Sequence, residues 1–216
     1  MTLESSKTLG GIGAILLLIG LIPYSYIGVI ALVGFILVLI ALHGLADYYK
    51  EDGIFNNALY GFIAAIVGVV AAAIAIVYVI FDTSILKTLL EDIYPGWTYG
   101  DWSKLPSLTP QTTNIPMSDV TPVLGAIFAV LAILWIFLII SAFFNRRSLK
   151  MLSAKASVGL FSTAGLLLII GAILAIVLIG FVLMWIAVLL IAIAFFQIKS
   201  QPEQPVAPAA PPPRIP

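Results

Sequence analysis

Long runs of apolar residues, separated by short polar segments, are the dominant pattern of this sequence. Four tracts contain no Asp, Glu, Lys or Arg: residues 9–42, 54–81, 121–145 and 159–198. The middle two have about the length of one membrane-spanning helix. The last tract, at forty residues, would form a single helix about 60 Å long, roughly twice the thickness of a bilayer's hydrocarbon core. It therefore predicts two antiparallel helices rather than one.

The first tract is also too long for one span, and Pro23-Tyr24-Ser25 interrupts it. It predicts a short helix followed by a longer one in a tight hairpin. In the last tract we place the break at Ile179-Gly180. The predicted fold is thus an all-α integral membrane bundle (residues 1–198) with two tight hairpins and six spans, at about 9–22, 26–48, 54–81, 121–144, 159–179 and 181–198.

The basic residues give this map an orientation. If the N-terminus is cytoplasmic, eight Lys and Arg residues fall on the inner side and two, Lys87 and Lys104, fall in the outer loop 82–120. The cluster of Arg146, Arg147 and Lys150 is the strongest single anchor. The positive-inside rule therefore predicts that both termini are cytoplasmic.

Composition narrows the classes of function. Hydrophobic residues make up 62% and charged residues 9%, against about 25% charged in a soluble domain. The formal net charge is zero, which argues against a nucleic-acid partner. With no cysteine and one histidine, thiol chemistry and multi-histidine metal sites are excluded. No catalytic residue and no cofactor is expected.

One pair of ionisable residues lies near a predicted span. His43 and Asp47 are four residues apart, on one face of the second helix near its inner end. An ionisable residue within the membrane is a candidate for proton transfer or ion binding. Because His43 is close to the polar end of its helix, a structural pair is the favoured interpretation.

The outer loop holds the other candidates for interaction. Apolar residues on one face of segment 84–93 predict a helix lying in the membrane interface. The turn-rich segment 94–102 follows, with Trp97, Tyr99 and Trp102 among its aromatic residues. These rings could bind an external ligand or partner, or anchor the loop at the lipid headgroups. Anchoring is favoured because no set of acidic residues accompanies them.

The interiors of the spans carry no Asp, Glu, Lys or Arg. Ion-coupled transport and catalysis within a membrane usually depend on such ionisable groups. Small residues spaced four apart, such as Gly125 and Ala129, allow close helix packing within the chain or between copies. The Pro-rich segment 199–216 predicts a disordered cytoplasmic tail.

The predicted function is a non-enzymatic scaffold, accessory subunit or membrane-organising protein, whose partners are the bilayer, a second copy or another membrane protein. The alternative is a small transporter or channel for a neutral or lipophilic solute.

Three segments resemble a known family: 5–13 (SSKTLGGIG), 39–46 (LIALHGLA) and 54–58 (IFNNA). The family comprises uncharacterised multi-pass membrane proteins, found chiefly in archaea and classified as a domain of unknown function. Some members end in a cysteine-bearing zinc ribbon, whereas this chain has no cysteine and a Pro-rich tail. The resemblance implies a prokaryotic, archaeal plasma membrane and brings no activity or site residues with it.

Overall fold

A computed structural model describes residues 2–20, 28–81, 83–98, 100–111 and 116–199. These residues form seven α-helices and two short 3₁₀ helices, and they contain no β-strand. The α-helices are α1 (Leu3–Gly20), α2 (Gly28–Tyr49), α3 (Asp52–Phe81), α4 (Thr83–Ile93), α5 (Met117–Ala156), α6 (Gly159–Leu174) and α7 (Ile179–Gln197). Six segments are long and apolar enough to cross a membrane: α1, α2, α3, α5, α7, and α6 together with the 3₁₀ helix that follows it. The all-helical prediction is therefore confirmed.

Two helices extend further than the uncharged tracts that predicted them. α1 begins at Leu3 and α5 continues to Ala156, beyond the predicted bounds of 9 and 144. A charged residue ends an apolar tract without ending a helix, because Lys, Arg and Glu are themselves good helix formers. In α1 the polar turn is also supported by an ion pair, with Lys7 Nζ 2.9 Å from Glu4 Oε1. The break predicted at Pro23 and the tail from residue 200 lie outside the described residues.

Three sharp turns use a non-glycine residue in the left-handed region. Lys50, between α2 and α3, has φ 51°, and Ser157, between α5 and α6, has φ 56°. The third is Leu178, with φ 63°, which follows the 3₁₀ helix Ala175–Val177 and separates α6 from α7. The α6–α7 break therefore precedes the predicted one, and Gly180 lies within the first turn of α7.

The six long helices form a closed ring. In sequence order α1, α2, α3, α5, α6 and α7 each pack against the next, and α7 packs against α1. We call the end of the ring that holds Leu3 and Gln197 the terminal end. The opposite end, which carries α4 and the segment 94–111, is the loop end.

The buried core lies towards the terminal end. Its largest fully buried side chains are Phe161, Phe195, Leu45, Ile54 and Leu152. The buried residues of α5 all lie between Ser141 and Leu152. Consequently the loop-end half of α5 packs against its neighbours without being enclosed by them.

Two buried serines in this core differ in their hydrogen bonding. Ser148 Oγ donates to the carbonyl oxygen of Ile54 at 2.5 Å and so links α5 to α3. Ser6 Oγ on α1 is fully buried, and no partner reaches it among the described residues. A satisfied buried hydroxyl stabilises a fold, whereas an unpaired one costs free energy.

The two serines should therefore respond in opposite directions to the same substitution. Ser148→Ala is expected to lower the free energy of unfolding by about 1 kcal/mol, and Ser6→Ala is expected to leave it unchanged or raise it. Thermal unfolding of the two variants, purified in the same detergent, measures the difference. Equal losses of stability in both would contradict the assignment of the hydrogen bonds.

Candidate functional site

The pair predicted on α2 forms, and it is open to its surroundings. His43 Nδ1 lies 3.3 Å from Asp47 Oδ2, and both side chains are more than half exposed. The edge of the His43 ring meets the ring of Phe55 on α3, with 4.7 Å between the centroids. This geometry ties α2 to α3 near the terminal end.

In the loop, Trp97 serves as the centre of a small folded unit. Its side chain is only 3% exposed, and its Nε1 donates to the carbonyl oxygen of Asp101 at 2.8 Å. Its ring packs against that of Trp102, which is half exposed, with the centroids 5.3 Å apart. Trp97 is thus a packing residue, while Trp102 presents a surface. Tyr99 lies outside the described residues.

Asp101 is held by two neighbours in this unit. Lys104 Nζ lies 2.7 Å from its Oδ2, and Ser103 Oγ donates to its Oδ1 at 2.7 Å. The hydrogen bond from Lys104, followed by that from Ser103, lowers the pKa of Asp101. An ionised carboxylate in this setting stabilises the turn that carries Trp97 and Trp102.

Asp92 and Asp119 form a contact between two acidic residues. The sequence pattern did not predict it, because the two residues are 27 positions apart in the chain. Asp92 lies in the last turn of α4 and Asp119 in the first turn of α5, and the two helices pack together. Asp92 Oδ2 is shielded from solvent and receives no hydrogen from the described part of the chain. A hydrogen bond with the Asp119 side chain, followed by desolvation and by the charge of that carboxyl, raises the pKa of Asp92. A carboxyl group beside another carboxyl is harder to ionise, which is the direction of this shift at Asp92.

The raised pKa of Asp92 predicts that the docking of α4 onto α5 depends on pH. A carboxyl with a raised pKa stabilises the fold fully below its unfolded-state pKa, about 4, and this stabilisation is lost as the pH rises through the folded-state value. Asp92→Asn should remove the dependence and protect the amides of residues 88–93 better at pH 7. Hydrogen exchange, corrected for intrinsic rates, measures this. Asp119→Asn should weaken the pH dependence in the same way, and Glu91→Gln should weaken it much less. An unchanged pH profile in Asp92→Asn would contradict the pairing of Asp92 with Asp119.

A cleft opens between the loop-end halves of α3 and α5, with a volume of about 600 Å³. Small side chains create it and larger apolar ones border it, including Ala71, Ala75, Gly125, Ala129, Ile74 and Tyr78. A methyl group built on Gly125 would meet nothing within 4 Å. The small residues predicted to bring helices together therefore leave a gap at this end.

These features define the structural class of the protein. Within the described residues no three His, Asp or Glu side chains come close enough to bind a metal ion. The ionisable residues examined above lie near the two ends of the ring, and the lining of the cleft is apolar. The protein is a ring of six apolar helices, each of membrane-spanning length, with a small folded unit on one end.

Comparison with known proteins identifies the family. The chain belongs to DUF996, described as a protein of unknown function, whose sequence profile matches residues 30–189. It is similar to the uncharacterized protein MJ1644 of Methanocaldococcus jannaschii, with 28% identity over 198 residues, 92% of this chain and 94% of that protein. No solved structure matches the chain. The expected resemblance to an archaeal family of unknown function is confirmed.

Proposed function

We propose that this protein is a non-enzymatic integral membrane protein that acts as a structural scaffold or accessory subunit in a prokaryotic plasma membrane. Its six long helices lie in the bilayer, with the terminal end cytoplasmic and the loop end outside. Its partners are lipid together with a second copy or another membrane protein.

The observation that carries the proposal is the outer surface of the ring. Between the polar ends it presents large, exposed apolar side chains on every long helix, among them Ile19, Val29, Ile74, Phe128, Ile173 and Phe181. Soluble proteins do not expose apolar surface on this scale. Helices also satisfy their own backbone hydrogen bonds, as hydrocarbon requires.

The charges support the orientation. Arg146, Arg147 and Lys150 project from one stretch of α5 at the terminal end, where Lys155 Nζ also pairs with Glu51 Oε2 at 3.1 Å. At the loop end the basic residues are Lys87 and Lys104. The larger basic group favours the cytoplasmic side. The amphipathic helix α4 is suited to lie at the outer interface.

Because the chain has no cysteine, single-cysteine labelling tests the orientation. Ser107 and Ala154 are both exposed, at the loop end and the terminal end respectively. Ser107→Cys should react with an impermeant maleimide added to intact cells, and Ala154→Cys should react only after the cells are opened. Labelling of Ala154→Cys in intact cells would reverse the orientation, and recovery of the protein in the aqueous fraction would refute membrane insertion.

A second candidate function, carriage of a lipophilic solute, is favoured by the apolar cleft between α3 and α5. Reconstitution separates the two candidates. If the protein is a scaffold, liposomes containing it should show no solute flux above that of empty liposomes, and the protein should co-purify with a stoichiometric partner or with itself. Flux that is abolished by Ala129→Phe, which fills the cleft, would establish transport instead.

A further inference from the structure

We propose that the α6–α7 hairpin is re-entrant: it enters the bilayer from the cytoplasmic side and turns back inside the hydrocarbon, so that residues 175–179 contact the acyl chains of the outer leaflet. This inference rests on the proposed membrane location. It changes the six-span topology, because α6 and α7 then do not cross the membrane, while both termini stay on one side.

The depth of the turn follows from contacts between helices. Trp135 Nε1 of α5 donates to the carbonyl oxygen of Ala172 at 3.0 Å, which sets these residues at similar heights. The chain continues for six residues from Ala172 to Leu178, rising about 10 Å. α5 continues for fourteen residues from Trp135 to Thr121, rising about 21 Å. The turn therefore ends about 10 Å below the level at which α5 becomes polar.

The α3–α5 pair gives the same reference level. Phe137 of α5 lies directly against Gly68 of α3. α3 continues for thirteen residues beyond Gly68 to Phe81, about 20 Å, before the first acidic residue of the loop. Both α3 and α5 therefore remain apolar for about 7–11 Å beyond the height of the α6–α7 turn.

The composition of the turn agrees with burial in lipid. Residues 164–196 contain no charged residue and no Ser, Thr, Asn, Gln, His or Tyr. Turns at an aqueous surface favour Gly, Asn, Asp, Ser and Pro, whereas this turn reads Ala-Ile-Val-Leu-Ile. Ile176 and Leu178 are more than 70% exposed, so their side chains need an apolar surrounding.

The three left-handed residues show the contrast within one chain. At the terminal end this conformation is taken by Lys50 and Ser157, which are polar. In the α6–α7 turn it is taken by Leu178. A left-handed Leu is unfavourable relative to Gly or Asn, and an apolar side chain here is explained if water does not reach the turn.

The backbone of the turn is also suited to hydrocarbon. The amide of Leu178 donates to the carbonyl oxygen of Ala175 at 3.0 Å, and the amide of Phe181 donates to that of Leu178 at 3.1 Å. Hydrocarbon offers no hydrogen-bond partner, so polar backbone groups at membrane depth have to bond within the protein. These two bonds are made between residues of the turn and the first turn of α7.

Single-cysteine variants test the depth. In intact cells Leu178→Cys should react with an impermeant maleimide at least about tenfold more slowly than Ser107→Cys, because a thiol in hydrocarbon stays protonated and inaccessible. A nitroxide attached at Leu178→Cys should collide more often with oxygen than with a water-soluble nickel complex, and one at Ser107→Cys should show the reverse. Equal labelling rates, or a nickel-accessible nitroxide at residue 178, would overturn the proposal.

Further variants distinguish a turn buried in hydrocarbon from a misfolded variant and from a turn at the aqueous surface. Ile176→Cys serves if Leu178→Cys fails to fold, since it lies in the same turn. Leu178→Asn should lower the melting temperature of the protein in lipid vesicles, whereas a turn at the aqueous surface would gain stability from Asn in the left-handed conformation. If Ser107→Cys labels from outside and Leu178→Cys labels equally, only the re-entrant hairpin fails. If the protein is not in the membrane at all, the proposed function fails with it.

Discussion

Replacing Phe195 by alanine is expected to lower the free energy of unfolding by about 3 kcal/mol. Buried phenylalanines cost about 3–5 kcal/mol when truncated to alanine in water-soluble proteins. The lower end applies here because a helix released into lipid keeps its side chains in an apolar medium, so that the lost packing dominates.

The position of Phe195 explains the size of this effect. Its side chain is fully buried, and it meets the Phe161 ring edge-on, with the centroids 5.2 Å apart. On its other side the ring lies directly against Gly10 of α1. One side chain thus joins α6, α7 and α1, and it closes the ring between the first and last helices.

Phe181→Ala is the matched control, because Phe181 lies on the same helix and is mostly exposed. Unfolding of both variants in the same lipid or detergent, followed by circular dichroism, gives the comparison. Phe181→Ala should change the midpoint little. A Phe195→Ala protein as stable as the Phe181→Ala protein would show that ring closure does not depend on this contact.

The second large effect is expected for Gly180→Ala, with a loss of about 1–3 kcal/mol from overpacking. A methyl group built on Gly180 would overlap the carbonyl oxygen of Gly171 and the amide nitrogen of Ala175. Both are backbone atoms, which cannot move aside as a flexible side chain can. The α6–α7 hairpin would have to open in order to admit the methyl group.

Gly125→Ala provides the control for helix propensity. Gly125 is also helical, and a methyl group there meets nothing within 4 Å, so alanine should leave stability unchanged or raise it by up to about 1 kcal/mol. Melting curves of the two variants give the comparison. If Gly180→Ala were as stable as Gly125→Ala, the close approach of α6 and α7 would be refuted.

The candidate residues show where sequence reasoning succeeded and where it could not reach. The His43–Asp47 pair was predictable, because a separation of four residues on a helix fixes the distance between two side chains. The burial of Trp97 was not, since it depends on how an irregular segment folds around the ring. The Asp92–Asp119 contact joins two helices through a loop, and no local spacing reveals it.

Helix ends show the same division. Hydrophobic tracts located all six long helices, yet they placed the end of α5 twelve residues too early, because they follow apolarity rather than backbone conformation. Gly180 was predicted to mark a break and instead lies in the first turn of α7. Its role is close packing against Gly171, which only the neighbouring helix makes evident.

By itself, the sequence determined the helical class, the number of long helices and the asymmetry of basic charge, because each follows from composition and from the period and length of apolar runs. The tertiary structure decided which helices are neighbours, that the core lies towards the terminal end, and where the α6–α7 turn lies relative to α5. These properties depend on contacts such as Trp135 with Ala172 and Phe195 with Gly10, between residues far apart in the chain. In apolar surroundings, where all of these helices are similarly hydrophobic, helix pairing is determined by close packing rather than by hydrophobicity.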